Sequence, residues 1–286
     1  MGAPLLIGIA GGQRDREVTS SLLRTVLDGG QPYRRVGVVG SRELYDGVEW
    51  RRRPNPTREL GRLDEHLAHA RESGLSYLIA ELDEAAERGT MRLDLLCSVG
   101  AGGTGTARTA SRSLSFSARS PLADVGASQP EVHYGYVHFL AHTPDWSARL
   151  AVPVTGLFDL GPSLGAVASA VLLGVDVDRL SMGLLTSKVP GHGELLVSPD
   201  HRVLALIEES RARRDTERLV SAARETYDPP HFEVVRGAAA VGDAVARAYA
   251  SDTDGRTLLV LLGHPSERLE DAFQDAVREH ARPLGS

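Results

Sequence analysis

Residues 5–25 read LLIGIAGGQRDREVTSSLLRT, and the way apolar run, glycines and helical spacing follow one another there decides the fold class. Leu5, Leu6, Ile7 and Ile9 around Gly8 make a short apolar run of the kind that forms a buried strand. Gly11 and Gly12 break it, and Val18, Leu22, Leu23 and Val26 then recur at helical spacing. Strand, glycine turn and helix in that order is the local architecture of a phosphate-binding loop. Such a loop works because backbone N–H groups and a helix N-terminus surround an anion, a lysine reaches the phosphates and a Ser/Thr hydroxyl holds magnesium. The lysine and the hydroxyl are missing here. After Gly11 the chain continues Gly12, Gln13, Arg14, Asp15, Arg16, Glu17, which sets two carboxylates where a triphosphate requires a cation and donors.

Working outward, Arg35 to Val39 reads as a second strand, and Ser41 to Asn55 is polar, with Arg51, Arg52 and Arg53 ahead of Pro54 and Pro56. That arginine run reads as a solvated loop, with phosphate or carboxylate binding as the alternative. Leu60, Leu63, Leu67 and Ala70 predict one helix over 57–73, and Tyr77 to Ala80 is a strand ending at Glu81. Two strand–helix units and a further strand imply a parallel sheet covered by helices, with ligands at the carboxyl ends of its strands. Gly8 to Gly12 and Glu81 to Glu84 lie at such ends. The acidic group Glu81, Asp83, Glu84 suits a divalent metal through Glu81, or Asp83 and Glu84 simply start the next helix. Cys97, in a strand over 93–99, reads as a small core residue, and the Gly/Ser/Thr-rich residues 100–120 as a mobile loop. Residues 132–141 and 147–154 read as antiparallel strands whose histidines His133, His138 and His142 do not share one face.

Later segments predict helices over 165–173 and 177–185, a helical region over 201–226 with a charged face at 211–218, a strand at 232–235, a helix over 238–250, a strand at 257–262 and a helix over 267–280. The fold class is therefore α/β. A central domain over 1–189 has a parallel sheet flanked by helices and a small antiparallel sheet, and a shortened Rossmann-like α/β domain covers 190–286.

The 286 residues are 42% hydrophobic and 24% charged with a formal net charge of −6, and no basic block dominates, so nucleic acid is not the expected partner. Lys188 is the single lysine, and so the single candidate for a lysine-dependent step. One cysteine excludes an intramolecular disulfide and a cysteine-rich zinc site. No apolar run reaches the ~18 residues of a membrane span, and no secretory leader pattern opens the chain, so the expectation is a cytoplasmic protein without a membrane partner.

The ordered series of short motifs resembles the Mur ligases, above all the enzyme that adds the third amino acid to the UDP-muramoyl dipeptide. Gly8-Ile9-Ala10-Gly11 resembles the start of the family's GxTGTNGKT loop. Asn55-Pro56-Thr57 stands at its Thr-Thr-Pro substrate loop, and Ala80 to Ala85 is similar to MEVSSHA, with Glu81 at the magnesium-binding glutamate. Gly156-Leu157-Phe158-Asp159 resembles GxFNxxN, Val189 to Glu194 resembles the VPGRME hinge with His192 in it, and Val260 to His264 resembles the closing strand and GKGHE. The resemblance covers nearly the whole chain, and the family's UDP-binding domain has no counterpart in it. It implies an α/β ligase that uses ATP and magnesium to make an acyl phosphate, which an amine attacks.

The departures bear on activity. Asp15 and Arg16 occupy the lysine and hydroxyl positions, Ala85 the histidine of MEVSSHA, and Asp159 and Pro162 the two asparagines of GxFNxxN. The family's NLxxDHLD segment is replaced by the Gly/Ser-rich stretch, and no DNPR-like amino-acid motif follows the hinge. His142-Thr143-Pro144-Asp145 spells part of YAHTPD at an unrelated place. The expectation is a ligase-like pseudoenzyme acting as a binding or partner subunit, as a homo-oligomer or beside a catalytic Mur-ligase paralogue in peptide or natural-product assembly, with no cofactor. The alternative is an active ATP- and Mg2+-dependent amide ligase in which Arg14 or Arg16 replaces the lysine. A third reading, ATP-independent chemistry, rests first on Glu81, Asp83, His192 and His264. The candidate cleft residues are thus Asn55, Thr57, Glu81, Asp83, His192 and His264, beside the loop residues Gly8, Gly11, Gly12, Gln13, Arg14, Asp15 and Arg16.

Overall fold

The computed structural model describes residues 2–29, 35–83, 92–133, 135–209, 212–251, 255–264 and 268–280. The chain divides into two compact units: Met1–Glu131, His138–Pro153 and Phe158–Lys188 form one, and Val132–Val137, Val154–Leu157 and Val189–Ser286 the other.

The first unit is built on β1 (Leu5–Gly11), whose interior residues are buried, followed through Gly12 by α1 (Gln13–Asp28). β2 (Val36–Val39) leads into the short strands β3 (Glu43–Tyr45) and β4 (Trp50–Arg52). Next come α2 (Pro56–Leu60) and α3 (Leu63–Glu72), so the helix expected over 57–73 is two, separated at Gly61 and Arg62. β5 (Tyr77–Glu81) lies between β1 and β2, parallel to both, and β6 (Leu95–Gly100) runs parallel to β1 on its other side. These four parallel strands are the centre of an eleven-stranded sheet.

The sheet continues past β6 through β7 (Thr104–Thr109), β8 (Ser113–Ser117), β9 (Val125–His133), β10 (Tyr136–His142) and β11 (Ser147–Val152). Here the loop expected over 100–120 is corrected: β6, β7 and β8 pair antiparallel. Gly105 serves close packing rather than mobility. A Cβ on Gly105 would stand 2.2 Å from the Ser98 carbonyl oxygen and 2.3 Å from Phe116, and Ala107, Leu114 and Phe116 point into the core. α4 (Leu160–Leu172), apolar and small all round, is buried over most of its length, as the sequence suggests for 165–173. α5 (Val177–Leu185) follows, capped by the Asp176 side chain. A Cβ on Gly183 would meet the Val26 Cα at 2.6 Å, so α5 and α1 approach to backbone distance. A separate core of Leu6, Val39, Leu44, Leu60, Leu63 and Leu78 packs the sheet against α2 and α3.

The second unit carries a four-stranded sheet in the order β12 (His192–Val197), β13 (Val203–Glu208), β15 (Thr257–Leu262), β14 (His231–Arg236). β13, β14 and β15 are parallel and β12 is antiparallel to β13. α6 (Arg213–Tyr227), α7 (Val241–Ala250) and α8 (Leu269–His280) complete it. The helical region expected from 201 is corrected: VLALIE is a fully buried strand, and α6 begins only at Arg213. Every residue of that strand is inside, so it shows no period, and Leu and Ala favour helix as readily. The expected helix starts at Glu84 and Glu267 and the charged position Arg211 lie outside the described residues. Among the described residues, no helix is long and apolar enough to cross a membrane.

Candidate functional site

The carboxyl ends of β1 and β5 carry the residues the sequence singles out. Gly11 has φ +136°, and a Cβ there would stand 2.5 Å from the Val99 carbonyl oxygen, so the turn out of β1 requires glycine. Gly8 serves packing instead: its missing side chain leaves room for Leu82 and Leu93. Gly12 caps α1 without a side-chain hydrogen bond. Asp15, in the first turn, lays its carboxylate back over Gly12, with Oδ2 3.0 Å from where a Cβ would be. An anion is favoured at that helix end, and the chain supplies its own.

The two arginines of the loop turn inward. Arg14, 8% exposed, makes a two-pronged ion pair with Asp159: Nε to Oδ1 at 2.8 Å and Nη2 to Oδ2 at 2.9 Å. Its guanidinium also lies over the Phe158 ring, 4.8 Å from the centroid. Arg16 donates from Nη1 to the Gly11 carbonyl oxygen at 2.5 Å. Thr19 donates to the Pro162 carbonyl at 3.0 Å, so both positions that break the GxFNxxN pattern are tied to α1.

Glu81, at the end of β5, is 6% exposed. Its Oε1 accepts from the Ser20 hydroxyl at 2.8 Å, and its Oε2 from the Ser41 backbone N–H at 3.0 Å and hydroxyl at 2.9 Å. The same Ser41 hydroxyl lies 2.6 Å from Oε1 of Glu17, which also accepts from Gln13 Nε2 at 2.8 Å, while Glu17 Oε2 accepts from Arg42 at 2.7 Å. One hydroxyl proton serves only one of the two carboxylates at a time, so a proton held on Glu81 satisfies the other contact. Burial, and then the charge of Glu17, push the Glu81 carboxyl above its ordinary range, against the pull of the serine hydrogen bonds. The Gly40 backbone passes so close that a Cβ there would meet Glu81 Oε1 at 2.7 Å.

Asn55 caps α2, accepting the Arg58 N–H at 3.1 Å, and Thr57 in its first turn donates to Asp83 at 3.2 Å. The structure thus brings Thr57 to Asp83, and Glu81 to Ser20 on α1 directly behind the loop. His192 and His264 belong to the other unit. His192 is buried in β12 with Nδ1 3.2 Å from Glu208, and His264 is exposed just after β15. Cys97 is buried and faces the Gly165 carbonyl, and burial pushes its thiol to about 12, which fits the core role expected of it. His142 bonds Ser128 and Ser147, and residues 143–146 form the turn between β10 and β11. Sequence reasoning missed Ser20, Ser41 and Arg42 as partners of Glu81 and Glu17. Ser20 lies one helical turn past Arg16 on a buried face, which is a usable signal; Ser41 and Arg42 are brought in only by the sheet.

No family model matches the chain, and no curated protein matches it by sequence. Solved structures do match its fold. A UDP-N-acetylmuramoyl-L-alanyl-D-glutamate–2,6-diaminopimelate ligase shares it with a TM-score of 0.68 at 10% identity, over 98% of this chain and 80% of that one. MurF from Acinetobacter baumannii matches with a TM-score of 0.63 at 12% identity, over 96% of this chain and 77% of that one. Folylpolyglutamate synthetase from Lactobacillus casei matches with a TM-score of 0.58 at 12% identity, over 95% and 90%. The chain has the Mur-ligase-like α/β fold. Within that fold, its loop is one whose arginines are bound to the chain itself.

Proposed function

We propose that this protein is a Mur-ligase-like pseudoenzyme: a binding or partner subunit that no longer makes an acyl phosphate from ATP. The observation that carries the reading is the Arg14–Asp159 pair. A departure in the phosphate loop and a departure in the Gly156–Pro162 motif are chemically complementary, and together they tie up one of the loop's two arginines, Arg14. Two further features support it. Asp15 lies over the helix end that would face phosphate, and both Glu81 oxygens are taken by serine donors while burial favours its neutral form. A neutral carboxyl is a poor ligand for magnesium, which takes charged and neutral oxygens in a strict octahedron. The groups at this end of the sheet therefore do not fit a magnesium triphosphate. The partner of this subunit is a second copy or a catalytic Mur-ligase-like chain, in the cytoplasm.

Calorimetric titration of the purified chain with ATP, with and without Mg2+, tests this. The expected result is no heat of binding at millimolar ATP in either case. Micromolar binding would overturn the reading and establish a rebuilt nucleotide site, with Arg14→Ala and Arg16→Ala then reporting which arginine rebuilt it.

A further inference from the structure

Away from the loop, Asp46, His66 and His69 come together, and we propose that they bind one divalent transition-metal ion of the zinc class, fastening the β3–β4 hairpin to α3. Asp46 opens the turn after β3. Its Oδ1 accepts the N–H groups of Val48 at 3.0 Å and Glu49 at 2.7 Å, which fixes the carboxylate and turns Oδ2 toward α3. The turn needs Gly47, with φ +91°, because a Cβ there would stand 2.4 Å from Ser73 just past the end of α3. His66 and His69, three apart, lie on one helix face. Their Nδ1 atoms stand 2.7 Å and 2.8 Å from the same Oδ2. The three ligand atoms lie within 4.8 Å of one another.

The far side of His66 gives this cluster its direction. Its Nε2 faces Glu59 Oε2 at 3.3 Å, and Glu59, 1% exposed, is itself held by Arg51 at 3.1 Å and Arg62 at 3.0 Å. If Nε2–H donates to Glu59, a neutral His66 ring turns its Nδ1 lone pair toward Asp46, so the contact is satisfied by a second proton on the ring or by a metal ion that takes that proton's place. A carboxylate behind a ligating imidazole is the usual outer partner in metal sites, where it fixes the tautomer and raises the basicity of the coordinating nitrogen. Two imidazoles and one carboxylate suit zinc, cobalt or nickel, whereas magnesium and calcium prefer oxygen alone. With ligands ~2.0–2.1 Å from a tetrahedral zinc, neighbouring donors stand about 3.3 Å apart, so the imidazoles would move outward by roughly half an ångström. His66 and Asp46 are fully buried while His69 is 22% exposed, which leaves an approach for the ion and a fourth position for water.

The test uses the full chain, stripped with chelator and titrated with Co2+ and then Zn2+. One equivalent of cobalt should give the visible absorption of a four-coordinate nitrogen–oxygen site, stoichiometric zinc should bleach it, and the melting temperature should rise with zinc. Asp46→Asn should lose the band, and His69→Gln, at the most accessible of the three ligands, should lose it or weaken binding at least tenfold. His142→Gln, remote from the cluster, should leave it unchanged. No cobalt band and no zinc-dependent shift in the wild-type chain would overturn the proposal, as would a His69→Gln chain that binds zinc as tightly as wild type.

Discussion

Removing Asp159 should destabilise the first unit more than almost any other single polar change. In Asp159→Ala the Arg14 guanidinium, 8% exposed in the wild-type chain, loses the two hydrogen bonds to the Asp159 carboxylate, of 2.8 and 2.9 Å. Stranding one partner of a buried ion pair costs about 3–5 kcal/mol. The Phe158 face beneath the guanidinium remains and keeps about 0.5–2 kcal/mol of cation–π attraction, so the loss should fall near the lower end, about 3 kcal/mol. For a unit of this size that corresponds to a fall in Tm on the order of 10 °C. Urea unfolding and scanning calorimetry measure both. The double variant Arg14→Met with Asp159→Leu replaces the pair by apolar groups of similar bulk and should return to within about 1 kcal/mol of wild type, or exceed it. If Asp159→Ala costs less than about 1 kcal/mol, Arg14 has another anchor, and the reading that the pair ties up Arg14 fails.

Glu81 gives a pH prediction. Its folded pKa is raised, so the native chain keeps a proton that the unfolded chain releases; the stability this brings is complete below the ordinary glutamate range near 4.5 and is lost as pH rises through the folded value. Glu81→Gln removes the charge, keeps one oxygen to accept from Ser41 and offers an NH2 that the Ser20 hydroxyl can accept, and should be at least as stable as wild type at neutral pH with a flatter fall toward alkaline pH in urea unfolding. Gly161→Ala puts a Cβ 2.3 Å from the Gly103 Cα, backbone against backbone, and should cost about 1–3 kcal/mol by the same assay. Cys97, with its thiol pushed to about 12, should react with a thiol reagent only as fast as the chain opens, so that its labelling follows urea unfolding rather than pH.

The central parallel strands were legible because each is an apolar run ended by glycine or an acid, as in Leu5–Gly11 and Tyr77–Glu81. Strand β13 was not, since burial on both faces erases alternation and leaves VLALIE looking like part of the helix after it. Strands β7 and β8 were hidden by composition: Gly105 is there to let Ser98 and Phe116 approach, and a glycine of that kind cannot be told from a loop glycine along the chain. At the site, the loss of the lysine could be read directly. The destination of Arg14 could not, because Asp159 lies 145 residues away and meets it only through the packing of α4 on α1. The Asp46 cluster left one mark in the sequence, two histidines three apart on a helix, while its carboxylate comes from a turn twenty residues earlier.

Among the described residues, β4 is the last strand on its side of the eleven-stranded sheet and pairs with β3 alone. It is three residues long, carries Arg51 and Arg52, and gives way to Arg53 in a left-handed conformation and then to Pro54, which has no N–H to offer. An extended chain arriving at this border finds few backbone groups to dock on. Arg51 and Arg52, expected in a solvated loop, thus stand in a short edge strand that offers an arriving chain little to pair with.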